Sequence, residues 1–322
     1  MLKIDPKKIY FLDVEDDDCL FVDGKIKGSN ITKESFNEKT AEKYKDAEVL
    51  STFITSELSG KNLSKCPNLK LLVTRSVGYN HVDLKWCDEN GVKVCNVPDY
   101  GAHVIAEHVF ALLLASTRHI IEGEERTEDD SFRWQGLRGI ALKGKTIGVI
   151  GTGKIGLHAC RIASLGFLMD VIAYDPHPNK DMAQEYHFDY VDSIDEIWKR
   201  SDIITLHTPL FPSTKHMINE ESINKMKDGV CLINTARGGL IDTKALVKYV
   251  KKGKFGGVAL DVIEHEKNLK KDKELLHLPN VIITPHIAFY ADDSMGCMYN
   301  EAVLSIERFI NDEELVHQVI GH

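Results

Sequence analysis

The sequence GTGKIG at positions 151–156 constrains the fold of this chain more than any other feature. It follows the apolar run 146–150 and opens a helical pattern that continues to Leu165. In such a turn the first glycine permits a sharp bend, the second lets the backbone approach a pyrophosphate, and the third lets the helix pack on the strand. The phosphates then face the N-terminus of the helix. The order of strand, glycine turn and helix therefore predicts a dinucleotide-binding domain.

An acidic residue after the next apolar run indicates which dinucleotide binds. Asp175 lies 19 positions after Gly156, at the end of the run 171–174. A carboxylate at this place accepts hydrogen bonds from the ribose hydroxyl groups and repels a 2′-phosphate. The sequence therefore predicts NAD, rather than NADP, as the cofactor.

Composition limits the other classes of partner. The 322 residues are 43% hydrophobic and 28% charged, which is typical of a soluble globular protein with room for two cores. The net charge of −9 disfavours a nucleic-acid partner, because phosphate binding requires a basic surface. The N-terminus lacks a signal-peptide core, and the apolar stretch 109–115 is too short to span a membrane. We therefore expect a small-molecule partner, and neither a nucleic-acid nor a membrane partner.

The seven cysteines indicate a reducing compartment. They are odd in number, scattered along the chain, and include no CxxC pair. Such thiols favour buried packing positions in a cytoplasmic protein, and their spacing predicts no metal site.

Apolar, strand-like runs alternate with helical segments from residue 146 onward. The six runs cover residues 146–150, 171–174, 203–206, 230–234, 257–262 and 281–284. Strands with helical crossovers predict a doubly wound parallel sheet built from two mononucleotide-binding halves. Ser193 and Glu196 match a capping box at the start of one crossover helix, and Asp242 is the predicted N-cap of another.

The first hundred residues repeat this pattern more loosely. Their apolar runs are 8–13, 49–54, 70–74 and 93–96. A long helix is predicted over 102–120, and its nearly uncharged middle indicates burial between domains or subunits. A last helix, over 293–312, is expected to return to the first domain. The prediction is an α/β fold of two domains, Rossmann-like or flavodoxin-like, with a cleft between them: a discontinuous substrate domain (1–101 with 290–322) and an NAD-binding domain (102–289).

Charged residues follow three successive strands, at the carboxyl edge where ligands bind in sheets of this kind. Arg237 follows the fourth predicted strand, and His286 follows the sixth. Between them, an acidic cluster follows the fifth strand: Asp261, Glu264 and Glu266. Each residue alone is more often structural, but a shared position at the reactive end of the cofactor favours catalysis.

These residue types suit hydride transfer to a ketone. Negative charge develops on the ketone oxygen, and an imidazolium such as that of His286 can protonate it. A carboxylate beside the ring orients it and favours its charged form, and this reasoning leaves Glu264 and Glu266 as alternatives. A guanidinium such as that of Arg237 can bind a substrate carboxylate through two parallel hydrogen bonds.

Over nearly its whole length the chain resembles the D-isomer-specific 2-hydroxyacid dehydrogenase family. Eight separated motifs carry the resemblance, in the order of the family: RSVGYNHVD (75–83), NVPDYGAHVIAEH (96–108), GVIGTGKIG (148–156), YDPHP (174–178), LHTPL (206–210), INTARGG (233–239), ALDVIEHE (259–266) and TPHIAFY (284–290). HIAFY followed by a polar stretch is most similar to the D-lactate dehydrogenase branch. The resemblance implies an NAD-dependent, cytoplasmic enzyme that interconverts pyruvate and D-lactate, and it indicates a homodimer.

The resemblance also implies roles for individual residues. Arg237 binds the 2-oxo acid, His286 is the general acid/base, and Glu266 is its partner, because the family places this glutamate five residues after the aspartate. The implied substrate contacts are Val77 and Gly78, through their backbone amides, and Tyr100, Arg237 and His286. The implied cofactor contacts are Gly151, Gly153, Lys154, Ile155, Gly156, Asp175, Thr208, Pro209, Thr214, Thr235, Ala236 and Asp261, the last facing the nicotinamide carboxamide. Glu107 and His108 match a family motif too, and for them we expect a structural role at the start of the long helix.

Two departures from the D-lactate dehydrogenase branch leave other functions open. The interval from Glu266 to His286 is shorter than in that branch, and position 55 is Thr where an aromatic substrate contact is expected. The same chemistry on glyoxylate, hydroxypyruvate, or a branched or aromatic 2-oxo acid is one alternative. A non-enzymatic, NAD(H)-sensing protein similar to the corepressors of the family is another.

Overall fold

A computed structural model of the protein describes residues 4–319. Contacts divide the chain into two units, Met1–Gly101 with Tyr290–His322 and Ala102–Phe289. Each unit has its own sheet, built almost entirely of parallel strands, and its own buried apolar core. The predicted α/β class with two doubly wound sheets is therefore confirmed.

The first unit begins with five strands and three short helices. The strands are β1 (Ile9–Phe11), β2 (Asn30–Ile31), β3 (Val49–Thr52), β4 (Leu71–Thr74) and β5 (Lys93–Cys95), and the helices are α1 (Cys19–Val22), α2 (Gly60–Leu63) and α3 (Leu84–Glu89). These strands pair in parallel, in the order β5-β4-β3-β1-β2. Four of them lie within the predicted apolar runs. The fifth, β2, has only two half-buried residues and is too short to show a pattern.

The second unit contains seven strands and seven helices among the described residues. The helices are α4 (Ala102–Thr117), α5 (Ile120–Glu128), α6 (Lys154–Arg161), α7 (Lys180–Glu185), α8 (Ile194–Arg200), α9 (Glu220–Lys225) and α10 (Thr243–Lys251), and the strands are β6 (Thr146–Ile150), β7 (Asp170–Tyr174), β8 (Asp189–Tyr190), β9 (Ile203–Leu206), β10 (Val230–Asn234), β11 (Phe255–Leu260) and β12 (Val281–Ile283). All pair in parallel, in the order β12-β11-β10-β9-β6-β7-β8. The direction of winding reverses between β6 and β9, which places a ligand crevice at their carboxyl ends.

The chain then returns to the first unit. Helix α11 (Asp292–Ile310) leads to β13 (Gln318–Val319), which pairs antiparallel with β5. Residues 320–322 lie outside the described part of the chain.

The structure corrects the prediction for the long helix. Helix α4 ends at Thr117, and α5 begins at Ile120, because His119 between them has a left-handed φ of 51°. Val109 and Leu113 of α4 are fully buried in the core of the second unit. The apolar middle of this helix thus packs on its own sheet, and this packing accounts for its nearly uncharged sequence without a surface between domains or subunits.

One predicted helix start is confirmed and another is corrected. Asp242 caps α10, because its carboxylate accepts from the amides of the first turn. Ser193 caps α8 through the amide of Asp195, but Glu196 pairs with Arg200 at 3.0 Å instead of completing a capping box. A complete box occurs at the start of α9, where it is formed by Asn219 and Ser222.

Among the helices of residues 4–319, none is by itself both long enough and apolar enough to span a membrane. Helices α4 and α5 meet both conditions only as a pair, and that pair is bent by 59°.

Candidate active site

The glycine turn between β6 and α6 has the geometry that a bound pyrophosphate requires. Gly151 has a φ of +90°, and a Cβ there would lie 2.7 Å from the carbonyl oxygen of His207. A Cβ at Gly156 would overlap the carbonyl oxygen of Gly151. A Cβ at Gly153, by contrast, would meet no heavy atom within 4 Å. The first and third glycines are therefore required by internal packing, and the second leaves space beside the backbone for a ligand.

The Asp175 carboxylate follows β7 and is held firmly beside this turn. One oxygen accepts from the backbone N–H of Thr152 at 2.6 Å and from its hydroxyl at 3.1 Å. The other accepts from the N–H of His177 at 2.8 Å. These contacts orient the carboxylate and leave acceptor capacity on both oxygens, which suits the paired hydroxyl groups of a ribose.

The loop after β9 lies against the glycine turn at the point where the winding reverses. Burial lowers the pKa of the His207 imidazole to about 4, and its Nε2 lies 3.0 Å from the Thr205 hydroxyl. Thr208 and Pro209 follow directly. Thr214 closes this loop, because its hydroxyl donates to the carbonyl of Pro209 at 2.7 Å. The structure therefore gives Thr214 a definite role inside the loop.

The loop after β10 carries Arg237 and is shaped by a buried amide. Asn234 is fully buried; it accepts from the N–H of Ala236 and donates to the carbonyl of Arg237, both at 2.9 Å. A Cβ at Gly238 would overlap the carbonyl oxygen of Ile263, so this loop packs directly on the loop after β11. The Thr235 hydroxyl is buried and finds no hydrogen-bond partner among residues 4–319. An unsatisfied buried hydroxyl at a predicted cofactor contact fits a ligand that completes its bonding.

Asp261, at the end of β11, organises the turn that carries His286. Its carboxylate accepts from the Thr284 hydroxyl at 2.5 Å and from the backbone N–H groups of Ile287 and Ala288 at 2.9 Å each. Its carbonyl accepts from the N–H of His286, which has a left-handed φ of 57°. The buried carboxylate thus fixes the backbone position of the histidine.

His108 supports the same turn from α4. The Thr284 hydroxyl donates its one proton to Asp261, so its oxygen accepts from Nε2 of His108 at 3.2 Å. The ring nitrogen also lies 3.5 Å from the Asp261 carboxylate. Burial acts to raise the pKa of Asp261, but the hydrogen bonds from His108, Thr284 and the backbone outweigh it and hold the pKa below the usual value. The structural role expected for His108 therefore extends to the loop of the predicted catalytic histidine.

Three consecutive side chains in the loop after β11 have three different partners. Glu264 accepts from His216 at 2.7 Å, the His265 ring lies 2.9 Å from the buried carboxylate of Asp272, and Glu266 faces Nδ1 of His286 at 3.3 Å. Of the two glutamates that the residue types leave open, Glu266 is the one that meets His286.

Glu264 instead stabilises the surrounding loops. It also accepts from the N–H of Thr243 at the start of α10, and His216 is tied through its own N–H to the carbonyl of Gly239. Burial acts to raise the pKa of Glu264, but the hydrogen bonds from His216 and Thr243 lower it overall. Sequence reasoning missed His216 because no spacing relates it to a residue 48 positions away.

The predicted substrate loop of the first unit follows β4. The Asn96 side chain donates to the carbonyl of Val77 at 2.8 Å, and the Ser76 hydroxyl donates to the carbonyl of Gly78 at 2.7 Å. The amides of Val77 and Gly78 donate to no group within residues 4–319. Two adjacent free N–H groups suit a carboxylate. Tyr100, also predicted to contact substrate, is only 7% exposed within the structure.

Known proteins share this sequence and architecture. Residues 110–288 match the family model described as D-isomer specific 2-hydroxyacid dehydrogenase, NAD binding domain. A 2-hydroxyacid dehydrogenase homolog of Zymomonas mobilis is 39% identical over 82% of this chain and 83% of its own length. An aromatic 2-oxoacid reductase of Clostridium sporogenes is 42% identical over 75% of this chain and 76% of its own length. A crystal structure of D-lactate dehydrogenase from Aquifex aeolicus, complexed with NAD and lactic acid, has a TM-score of 0.87 and 37% identity, covering 98% of this chain and 99% of that one.

The parallel sheet, its glycine turn and the charged residues at neighbouring strand ends define a dinucleotide-binding oxidoreductase. The chain belongs to the D-isomer-specific 2-hydroxyacid dehydrogenase family, and NAD is its cofactor.

Proposed function

We propose that the protein is a D-lactate dehydrogenase, which reduces pyruvate to D-lactate with NADH and catalyses the reverse reaction with NAD. The observation that carries the proposal is the contact between Glu266 and His286, at the ends of β11 and β12, next to the loop of Arg237 after β10. These three strands are neighbours in the half of the sheet opposite the glycine turn. Family membership supports the reaction class, and the lactate dehydrogenase of Aquifex aeolicus supports the substrate.

Each of the three proposed catalytic residues has a distinct task. NADH supplies the hydride when it is bound. Arg237 binds the carboxylate of the 2-oxo acid through paired hydrogen bonds and so fixes the face of the ketone. His286 donates a proton from Nε2 to the ketone oxygen, because its Nδ1 faces Glu266. Glu266 orients the ring and stabilises its charged form; in lactate oxidation His286 takes the proton back.

The remaining assignments are part of the same proposal. The amides of Val77 and Gly78 bind the substrate carboxylate, and Tyr100 contacts the substrate. The residues proposed to contact the cofactor lie in the glycine turn, after β7, after β9, after β10 and after β11: Gly151, Gly153, Lys154, Ile155, Gly156, Asp175, Thr208, Pro209, Thr214, Thr235, Ala236 and Asp261.

Another 2-oxo acid is the second candidate substrate, and a specific similarity favours an aromatic one. The aromatic 2-oxoacid reductase of Clostridium sporogenes is 42% identical to this chain.

The experiment is a comparison of steady-state NADH oxidation with pyruvate, phenylpyruvate, 2-oxoisocaproate, glyoxylate and hydroxypyruvate. The proposal predicts the highest kcat/KM for pyruvate. A higher kcat/KM for phenylpyruvate would show that the protein is an aromatic 2-oxo acid reductase and not a lactate dehydrogenase. If the protein binds NADH but oxidises it with none of the five 2-oxo acids, the alternative of a non-enzymatic NAD(H)-sensing protein would be favoured.

We propose further that the protein acts as a cytoplasmic homodimer. Ile120 and Ile121 on α5, with Phe132 and Trp134 after it, are exposed apolar side chains, and Phe132 is 96% exposed. Exposed aromatic residues of this kind are typical of association surfaces. All seven cysteines are free thiols, which supports a reducing compartment. Light scattering coupled to size-exclusion chromatography tests the dimer, with Phe132→Ser and Trp134→Ser expected to weaken it.

A further inference from the structure

The Asp175 carboxylate is the last acceptor in a chain of hydrogen bonds that begins at a helix. Asp175 accepts from the backbone N–H and the hydroxyl of Thr152. The Thr152 hydroxyl lies 2.7 Å from the phenol oxygen of Tyr190. That phenol oxygen lies 3.0 Å from the backbone nitrogen of Asn179. One chain of hydrogen bonds thus connects four residues of the second unit: Asn179, Tyr190, Thr152 and Asp175.

The chemistry of the groups sets the direction of every bond in this chain. An ionised carboxylate can only accept, so Thr152 gives its single hydroxyl proton to Asp175. Its oxygen must then accept the proton of Tyr190, and the phenol oxygen is left to accept from Asn179 N–H, which can only donate. Bonds that all point the same way polarise one another. The chain therefore strengthens the donor that faces the carboxylate and holds the carboxylate in one orientation.

The supports of this chain are rigid elements. Thr152 belongs to the glycine turn and is 6% exposed. Tyr190 lies on the edge strand β8, and Asn179 is the N-cap of α7, where its side chain accepts from the N–H of Met182 at 3.1 Å. Strand β8 and helix α7, which precedes it, thereby fix the position of the Thr152 side chain in the glycine turn.

We propose that Thr152 and Tyr190 are positioning residues for coenzyme selection. Their hydroxyl groups hold the Asp175 carboxylate so that its free acceptor sites face the two ribose hydroxyl groups of NAD and its charge faces the place of a 2′-phosphate. Without them the carboxylate keeps only the backbone donors of Thr152 and His177 and is held less firmly. NADH then loses part of its hydrogen bond through the 2′-hydroxyl, a group that NADPH carries as a phosphate ester. The proposal rests on NAD being the cofactor and is independent of which 2-oxo acid the protein reduces.

The test is an equilibrium titration with NADH and with NADPH, followed by nicotinamide fluorescence, without any 2-oxo acid. For Tyr190→Phe we expect the Kd for NADH to rise about three- to tenfold, the range of one hydrogen bond, with the Kd for NADPH unchanged or lower. The matched control is Tyr249→Phe, which removes a phenol that donates to Asn224 at 2.8 Å between α10 and α9. This control should leave the selectivity ratio, which is the Kd for NADPH divided by the Kd for NADH, at the wild-type value.

Substitutions of Thr152 provide an independent reading of the same chain. Thr152→Ser keeps the hydroxyl and should retain the wild-type ratio of the Kd for NADPH to the Kd for NADH. Thr152→Val keeps the shape of the side chain but lacks the hydroxyl, so this ratio should fall. A purely structural role would weaken NADH and NADPH equally. Equal weakening, an unchanged ratio in Tyr190→Phe, or a wild-type ratio in Thr152→Val would each overturn the proposal. If Tyr190→Phe does not fold, the comparison of Ser with Val at position 152 decides the question.

Discussion

The two glutamates of the loop after β11 show how strongly the role of a residue depends on its partner. Glu264 and Glu266 are two positions apart and chemically identical. One is bound by His216 and the start of α10, and the other faces the His286 ring. From sequence alone they are equivalent, since their partners lie 48 and 20 positions away. The difference arises only when the loops after β9 and β12 come together on either side of β11.

This difference gives a sharp prediction for Glu266. Glu266→Gln keeps the size of the side chain but removes the charge that orients and stabilises the His286 ring. We expect kcat for pyruvate reduction to fall about 10- to 100-fold, within the range of general acid catalysis, while the Kd for NADH stays unchanged.

The matched control is Glu264→Gln. It removes the charge from the contact with His216 and so weakens that contact; the melting temperature should fall by a few degrees while kcat stays within about twofold of wild type. Equal losses of kcat in the two variants would show that the contact with His286 has no special importance.

Arg237 is expected to act on both binding and turnover. Arg237→Ala removes the guanidinium that binds the substrate carboxylate and fixes its orientation, so KM for the 2-oxo acid should rise and kcat should fall. The combined loss in kcat/KM should be about 10³-fold or more, because a charged bidentate contact is removed. Steady-state kinetics measures both constants, and an unchanged KM would contradict the role.

At the scale of elements, the glycines of the turn after β6 have different tasks: two are needed for packing, and one leaves space for a ligand. Gly151 and Gly156 are held against backbone carbonyls, whereas Gly153 faces open space. The sequence predicts these distinct tasks because the spacing GxGxxG is tied to a turn geometry. It also predicts the six main strands of this unit, since a parallel strand buried on both faces reads as an apolar run.

Gly153→Ala should therefore fold normally and bind coenzyme poorly. A methyl group at this position meets no protein atom, so the melting temperature should equal that of wild type within about 2 °C. The same methyl group occupies the space beside the backbone that a pyrophosphate needs, and the Kd for NADH should rise about tenfold or more.

Gly166→Ala is the control for that experiment. Gly166 also has free space around it, but it lies at the far end of the helical segment that starts with α6. Melting temperature and NADH binding should both stay at wild-type values. If Gly153→Ala binds NADH as tightly as this control, the glycine turn is not the pyrophosphate site.

Local features of the elements are less predictable than their existence. Helix α6 passes into a wider π turn at Ile162–Gly166, and α4 stops at Thr117 although neither glycine nor proline follows within the break. The break lies at His119, which adopts the left-handed backbone conformation, a region in which histidine is enriched among non-glycine residues. Helix caps are equally hard to predict. Ser193 and Glu196 match the sequence pattern of a capping box, but Glu196 pairs with Arg200 and does not make the second bond of the box.

At the scale of the whole molecule, acid should weaken the fold through groups buried at the site. The pKa of His207 is about 4 in the fold and about 6.5 in the unfolded chain, so between these pH values only the unfolded chain binds the proton. The free energy of unfolding is complete above about pH 6.5 and falls toward pH 4, by at most about 3 kcal/mol from this group. The lowered pKa values of Asp261 and Glu264 act in the same direction at lower pH.

Thermal melting of wild type and His207→Gln between pH 7 and pH 4 checks this. The wild-type melting temperature should fall steeply as the pH decreases through the window from 6.5 to 4. The variant, which lacks the titrating ring, should have a lower melting temperature at pH 7 and a shallower slope. Parallel curves would show that His207 does not carry the acid sensitivity.

The sequence predicts the fold and the chemical class of this molecule, but not the contacts that arrange the site. Apolar runs, the glycine turn and the separated motifs are local, and they indicate two doubly wound sheets with NAD. The links from His108 to Asp261 and from Tyr190 to Thr152 join residues that are distant in sequence. Such links form only when elements far apart in sequence come together in the folded unit.

The most direct measurement compares wild type and His286→Ala in pyruvate-dependent NADH oxidation, with NADH affinity determined on the same samples. We predict that wild type oxidises NADH and forms D-lactate. The variant should bind NADH with an unchanged Kd but turn over about 10²- to 10⁴-fold more slowly, because it lacks the proton donor. Near-normal turnover by the variant, or formation of L-lactate by wild type, would contradict the assignment of His286 as the acid/base of a D-2-hydroxyacid dehydrogenase.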